Sequence, residues 1–209
     1  MTIFDFRTEN EELYSPSPRT FSEVDVPMFS YLMVDGESEG DPSRRDAVGA
    51  LLAASDAARM LSVAELGRDY VVGPLEGLWY AARLVPFTKV PKNEWLWTMM
   101  IRQPEWLPPE LIETAMAKAR DRAPHAVGAL RHARLLEGRS VQILHVGPYD
   151  TEGATIRRLH GRYLPQHRLV ENGRHHEIYL TSPRVTPPEQ LRTVLRQPVR
   201  PAERAERRA

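Results

Sequence analysis

The sequence predicts an α+β protein in which one strand–helix–strand–strand unit is given twice. Two observations carry that expectation. Runs of period-two hydrophobicity and amphipathic 3.6-period segments follow one another in the same order in each half of the 209 residues. Arg-Gln-Pro also closes both halves, at 102–104 after "EWLWTMMI" and at 196–198 after "LRTVL". A tripeptide recurring in matched positions of matched units reads as duplication. Duplicated halves pack about a pseudo-twofold axis, and their seam is a natural ligand cleft.

Residues 1–20, polar and carrying "SPSPR", are expected to form a flexible leader. The folded domain is expected over 21–200, with a first repeat at about 24–106, a second at about 130–199, and a disordered basic tail over 201–209. In the first repeat, "VPMFSYLMVD" reads as a strand, and a charged loop, "GESEGDPSRR", follows it. "RDAVGALLAASDAARMLSVAELG" places Val48, Leu51, Leu52, Met60 and Leu61 at helical spacing. "DYVVGPLEGLWYAARL" and "NEWLWTMMIRQP" read as strands, the second stopped by Pro104. "PPELIETAMAKARDRA" has prolines at its start and an apolar stripe through Leu111, Ile112, Ala115, Met116 and Ala119, so it reads as a helix. In the second repeat, "RHARLLEGRSVQILHVGPYD" reads as two extended runs joined at Glu137–Gly138. A helix over "EGATIRRLHGRYLPQH" and strands over "HHEIYLTSP" and "QLRTVLRQPV" follow.

Composition narrows the function. The 28 basic and 28 acidic residues cancel, which argues against a nucleic-acid surface spread over the fold. With no cysteine there is no disulfide, thiolate metal site or thiol nucleophile, and a cytoplasmic, reducing compartment is expected. No apolar run is expected to cross a bilayer, which takes roughly 20 residues. Neither a HExxH pair, a G-x-S-x-G elbow nor a phosphate-loop spacing occurs. His175 and His176 are adjacent, and adjacent strand residues point to opposite faces, so no metal and no cofactor are expected.

The residues that invite chemistry are carboxylates set in strands. In "HHEIYL", His175, Glu177 and Tyr179 share one strand face and His176, Ile178 and Leu180 the other. A carboxylate beside a phenol can hold a cation or a water while the phenol donates to a ligand oxygen. The plain alternative is an ion pair between Glu177 and Arg184 or Arg196. Glu76, in "PLEGLWY", stands before the first Arg-Gln-Pro as Glu177 stands before the second, 26 and 19 residues ahead. It shares a face with Leu78 and Tyr80 if the strand is regular. Four tryptophans, Trp79, Trp95, Trp97 and Trp106, fall within one stretch of 28 residues, and Trp95, Trp97, Met99 and Ile101 alternate onto one face. Such a group builds either a core or an aromatic-lined pocket.

Together "YLMVDG", "PLEGLWY", "EWLWTMMIRQP", "VQILHVGPYD", "HHEIYLTSPR" and "LRTVLRQPV" resemble the GyrI-like small-molecule-binding proteins, in their stand-alone branch. The resemblance covers about 26–199. It implies a duplicated SHS2 fold, β-α-β-β twice, with a ligand cleft at the junction of the halves. It also implies a lipophilic planar small molecule as partner; with the balanced charge and the absence of a long apolar run, no nucleic acid and no membrane are expected, and a monomer or weak homodimer is expected. Part of that branch is known as cyclopropanoid cyclopropyl hydrolases, which open the cyclopropane of DNA-alkylating drugs with water and so confer protection. Carried over, Glu177 and Tyr179 are the implied catalytic pair. Trp79, Trp97, Trp106, Tyr149, Tyr31, Glu76 and Met99 are the implied ligand wall. The alternative the resemblance leaves open is a drug-sequestering or gyrase-modulating binder without chemistry.

Overall fold

The computed structural model describes residues 3–37, 43–82, 90–122 and 130–202. Alternating β-branched, aromatic and long apolar residues form the strands β1 (Ser22–Val26), β2 (Phe29–Glu37), β3 (Leu75–Ala81), β4 (Trp95–Gln103), β5 (Arg131–Leu135), β6 (Gly138–Val146), β7 (Leu169–Glu171), β8 (His175–Tyr179) and β9 (Arg192–Pro201). They make one antiparallel sheet in the order β1-β6-β9-β8-β3-β4-β2-β5, with β7 on β9. The helices are α1 (Phe6–Glu9), α2 (Glu11–Tyr14), α3 (Ser43–Leu66), α4 (Pro109–Arg122), α5 (Glu152–Arg158) and α6 (Leu164–Gln166), with a π-helical turn at Leu159–Tyr163 between the last two. The class is α+β, as the sequence predicts.

The sheet order reads alike from its middle in both directions. In β2-α3-β3-β4, the third strand of the unit lies between the first two, and the same holds for β6-α5/α6-β8-β9. The second strands, β3 and β8, meet at the centre. Each unit's first strand is flanked by the strand that precedes the other unit: β1 pairs with β6, and β5 with β2.

Directly paired residues share a sheet face. The register therefore lays out a front face with the row Val34, Met99, Gly77, Glu177, Leu195. Beside it runs the row Gly36, Trp97, Trp79, His175. Helix α3 covers β2 and β4 on this side through Ala47, Ala50, Leu51, Ala54, Ala58 and Leu61, spaced three and four apart and buried. The α5–α6 segment covers the other flank, where Leu159 and Leu164 pack with Val141. The centre, β3 and β8, lies between the two helical covers.

Over Arg44–Leu66, α3 is long and apolar enough, by length and composition alone, to cross a bilayer. The sequence suggests no such run because the stretch is apolar largely through alanine and is interrupted by Asp56 and Arg59. Half of that stretch is buried within the protein, against the sheet and α4.

The N-terminal residues correct the expected flexible leader. Phe6, Leu13 and Tyr14 are buried, and residues 10–14 lie across the back face as a strap. Arg196 Nη2 donates to the Leu13 carbonyl at 2.7 Å, Gln142 Nε2 to that of Glu12 at 2.6 Å, and Arg102 Nη1 to Asn10 Oδ1 at 2.9 Å. The leader reads as polar because each of its helices is only one turn long and has too few apolar residues to show a period. β7 is only three residues long, and β1, Ser-Glu-Val-Asp-Val, has too few apolar residues to stand out. The "GESEG" loop falls mostly at 38–42, outside the described residues, as do residues 203–209 of the tail.

Candidate functional site

On the front face, three groups converge above Gly77. A Cβ built there would lie 3.1 Å from Met99 Cε, 3.2 Å from Tyr179 Oη and 3.3 Å from Trp79 Nε1. The Trp79 indole N–H donates to the Tyr179 hydroxyl oxygen at 3.2 Å, and that hydroxyl donates to Glu177 Oε2 at 2.8 Å. Glu177 is buried, directly opposite Gly77. Burial, then the Glu177 charge and its hydrogen bond, hold the Tyr179 phenol well above its ordinary pKa, so it keeps its proton and acts as a donor.

The Tyr149 ring, at the turn into α5 and more exposed than the rest, meets Tyr179 edge-on at 5.6 Å. Burial, Glu152 and Glu177 raise the Tyr149 pKa. On the other side, Trp79 packs edge-on against Trp95 at 5.9 Å, and the Arg44 guanidinium sits 5.6 Å from the Trp79 ring. Trp97 is directly opposite Trp79, with its ring over Gly36, where any Cβ would collide with it. Met99, Trp79, Trp97, Tyr149, Glu177 and Tyr179 are thus brought together.

Three expected wall residues are not. Tyr31 pairs with Arg102, whose face is the back one, and is buried there. Trp106 lies beyond β4, donates to Ser62 Oγ at 3.3 Å, packs against Phe4 at 4.8 Å and stacks under Arg68 at 4.0 Å. Among the described residues, that set shares no member with the Glu177 neighbourhood.

Glu76 is the third. It is fully buried on the back face, with Oε2 2.9 Å from His176 Nε2 and the Tyr14 hydroxyl donating to Oε1 at 3.4 Å. His176 Nδ1 is 3.0 Å from Glu137, which also accepts from Arg196 Nη1 at 3.1 Å. Burial works against charge here, but Glu137 and Glu76 outweigh it and raise His176 to about 9. Burial likewise opposes the Glu137 carboxylate, and His176 and Arg196 outweigh it and lower the group to about 2.

The two glutamates are therefore not equivalents. Glu76 pairs with Met100, two residues before Arg102, while Glu177 pairs with Leu195, one residue before Arg196. One step of register puts them on opposite faces. Of the two alternative partners, Arg184 and Arg196, the second is on the back face with Glu137, so it does not balance Glu177.

Sequence reasoning passed over Glu152, buried at the start of α5, whose charge reaches both Tyr149 and Tyr179. Its signal was its place three residues after Tyr149, on the same side of the helical turn. Among the described residues, no group of three or more histidine and acidic side chains is placed to hold a metal ion.

Comparison with known proteins finds that the GyrI-like small molecule binding domain family matches residues 21–200. The chain is similar to an uncharacterized conserved protein of Listeria innocua, 32% identical, with 94% of this chain and 100% of that one covered at a TM-score of 0.83. It is similar also to a Listeria innocua protein described as a hydrolase, 32% identical, with 95% and 100% covered at a TM-score of 0.82. The C-terminal domain of EcmrR, 10% identical, shares the fold at a TM-score of 0.58 over 88% of this chain and 98% of its own. Curated protein sequences provide no significant match.

Proposed function

Since the chain belongs to the GyrI-like small molecule binding domain family, we propose that its front face takes a flat lipophilic ligand against Trp79, Trp97, Met99 and Tyr149 and adds water to it. The proposed substrate carries a strained ring conjugated to a carbonyl, as in cyclopropane-bearing DNA-alkylating drugs, and opening it would protect the cell. The observation that carries this reading is the hydrogen-bonded chain Trp79–Tyr179–Glu177 over Gly77. The description of a Listeria innocua relative at 32% identity as a hydrolase agrees with it.

In the step itself, water bonds to a ring CH₂ as the C–C bond breaks, and the electron pair passes to the conjugated oxygen. Glu177 takes the water's proton. Once protonated it is a weaker acceptor than the carboxylate, and the Tyr179 hydroxyl turns to the developing oxyanion, now the stronger acceptor. The product leaves as a phenolate and is protonated in solvent. General-base help of roughly 10²–10⁴-fold is enough for a substrate already activated by strain.

A second reading, binding without chemistry, is favoured by one feature: the Tyr179 proton is already committed to Glu177 at 2.8 Å. Timed incubation with a duocarmycin-type drug, read by mass spectrometry, separates the two. A drug-plus-water product formed over many turnovers, and lost in Glu177→Gln, is the expected result. Intact drug recovered at one molecule per chain would leave a sequestering protein.

A further inference from the structure

Helix α3 buries one side against the sheet and α4 and leaves the other open to solvent. The open side carries Gly49, Leu52, Asp56, Arg59, Val63 and Leu66, at steps of 3, 4, 3, 4 and 3 residues. That is the alternating a/d spacing of a coiled-coil seam. Leu52, Val63 and Leu66 are 40%, 46% and 39% exposed, and Met60 beside them is 66% exposed. Single exposed apolar residues are ordinary, but a row of them in phase along one helix marks an interaction surface. We propose that this seam is a homodimer interface, on which α3 of a second copy lies antiparallel.

The seam is complementary to itself in that direction. About a twofold axis between residues 57 and 58, Gly49 meets Leu66, Leu52 meets Val63, and Asp56 meets Arg59, each an a position facing a d position. The residue without a side chain thus faces a leucine. A Cβ built on Gly49 has no atom within 4 Å, so Leu66 of the second copy has room there. The central pair carries opposite charges. Arg59 holds Asp69 through Nε at 2.7 Å and Nη2 at 2.9 Å, which leaves Nη1 to reach Asp56 of the second copy. A parallel pair in register would set Asp56 against Asp56 and Arg59 against Arg59, so charge selects the antiparallel one. From Gly49 to Leu66 the seam is about 27 Å long. A single helix pair of that length belongs with interfaces under about 1,200 Å², so the dimer is weak and reversible. A lipid surface fits the helix less well. Interfacial helices put aromatic residues on the apolar side, whereas α3 has none and sets Asp56 at the middle of the seam.

Sedimentation equilibrium of the full chain, from micromolar to millimolar concentration, tests the interface. The wild type is expected to approach twice the 23.9 kDa chain mass as concentration rises. Leu52→Glu enters a symmetric interface twice, and it is expected to weaken association at least about tenfold at unchanged melting temperature. Asp56→Arg and Arg59→Asp are each expected to be monomeric alone, since each sets like charges face to face. Mixed in equal amounts they are expected to associate again, because each copy supplies the charge the other lacks. Arg59 and Asp69 form a surface pair, so the Arg59 variant keeps its fold, as circular dichroism checks. The chain mass at every concentration would overturn the proposal, as would a dimer indifferent to Leu52→Glu or a mixture that stays monomeric. A monomer that floats with phosphatidylcholine–phosphatidylglycerol vesicles, and stops doing so in Leu52→Glu, would overturn it in favour of a lipid surface.

Discussion

Gly77 has no side chain, and Met99, Tyr179 and Trp79 use the space that leaves. A methyl group there must push on all three at 3.1–3.3 Å. Gly77→Ala is therefore expected to keep the fold and weaken ligand binding about tenfold, since Met99 Cε can swing aside but the hydrogen-bonded Trp79 and Tyr179 rings must shift by a few tenths of an ångström. Quenching of Trp79 by a titrated drug measures it. Tyr179→Phe removes the acceptor of the Trp79 N–H and a donor to Glu177. A loss of about 1–3 kcal/mol in denaturant unfolding is expected, together with a fall in turnover. Glu76→Gln is expected to behave differently from Glu177→Gln. It unsettles the His176 ion cluster and lowers stability by about 3–5 kcal/mol, while leaving the chemistry of any protein that does fold intact. Activity per folded molecule separates the two glutamates.

At the scale of elements, the strap of α1 and α2 is the part that most repays attention. It lies outside the family's span of 21–200, yet it covers the back face of both units. The repeated Arg-Gln-Pro has its physical meaning here: Arg102 and Arg196 are the buried cations that grip the strap. Arg102 does so through Asn10, with its guanidinium 3.2 Å from the Phe29 ring centroid, and Arg196 through Leu13. Deleting residues 1–15 withdraws Phe6, Leu13 and Tyr14, each worth about 1.5–3 kcal/mol of burial. It also takes Asn10 from Arg102, the Leu13 carbonyl from Arg196 and the Tyr14 hydroxyl from Glu76. Such a chain is expected to be insoluble or unfolded, as judged by its yield and circular dichroism. A stable, active truncation would show the strap to be dispensable.

For the whole molecule, buried ionisable groups set a stability optimum. His176, raised from 6.5 to about 9, contributes stability that is complete below pH 6.5 and is lost as pH rises through 9. His175, lowered to about 3, is neutral when folded, so stability falls as pH drops below 6.5 and the unfolded chain takes up a proton. Glu137, lowered from 4.5 to about 2, adds a further loss below pH 4.5. Each group changes stability by up to about 1.4 kcal/mol per pH unit. Urea midpoints are expected to peak near pH 6.5, and a flat profile to pH 9 would refute the assigned charge of His176. Much of this design is legible in the residues alone. Period-two runs mark the long strands, 3.6-residue spacing marks α3 and α4, and alternation in "HHEIYL" puts Glu177 and Tyr179 together, because these are local properties of the chain. Whether two strands pair in one register or the next is not local. It depends on which side chains the partner strand, the helices and the strap can bury. That choice sent Glu76 and Tyr31 to the back face and set Glu177 opposite Gly77 on the front, and the packing of the chain beyond β4 left Trp106 with Phe4.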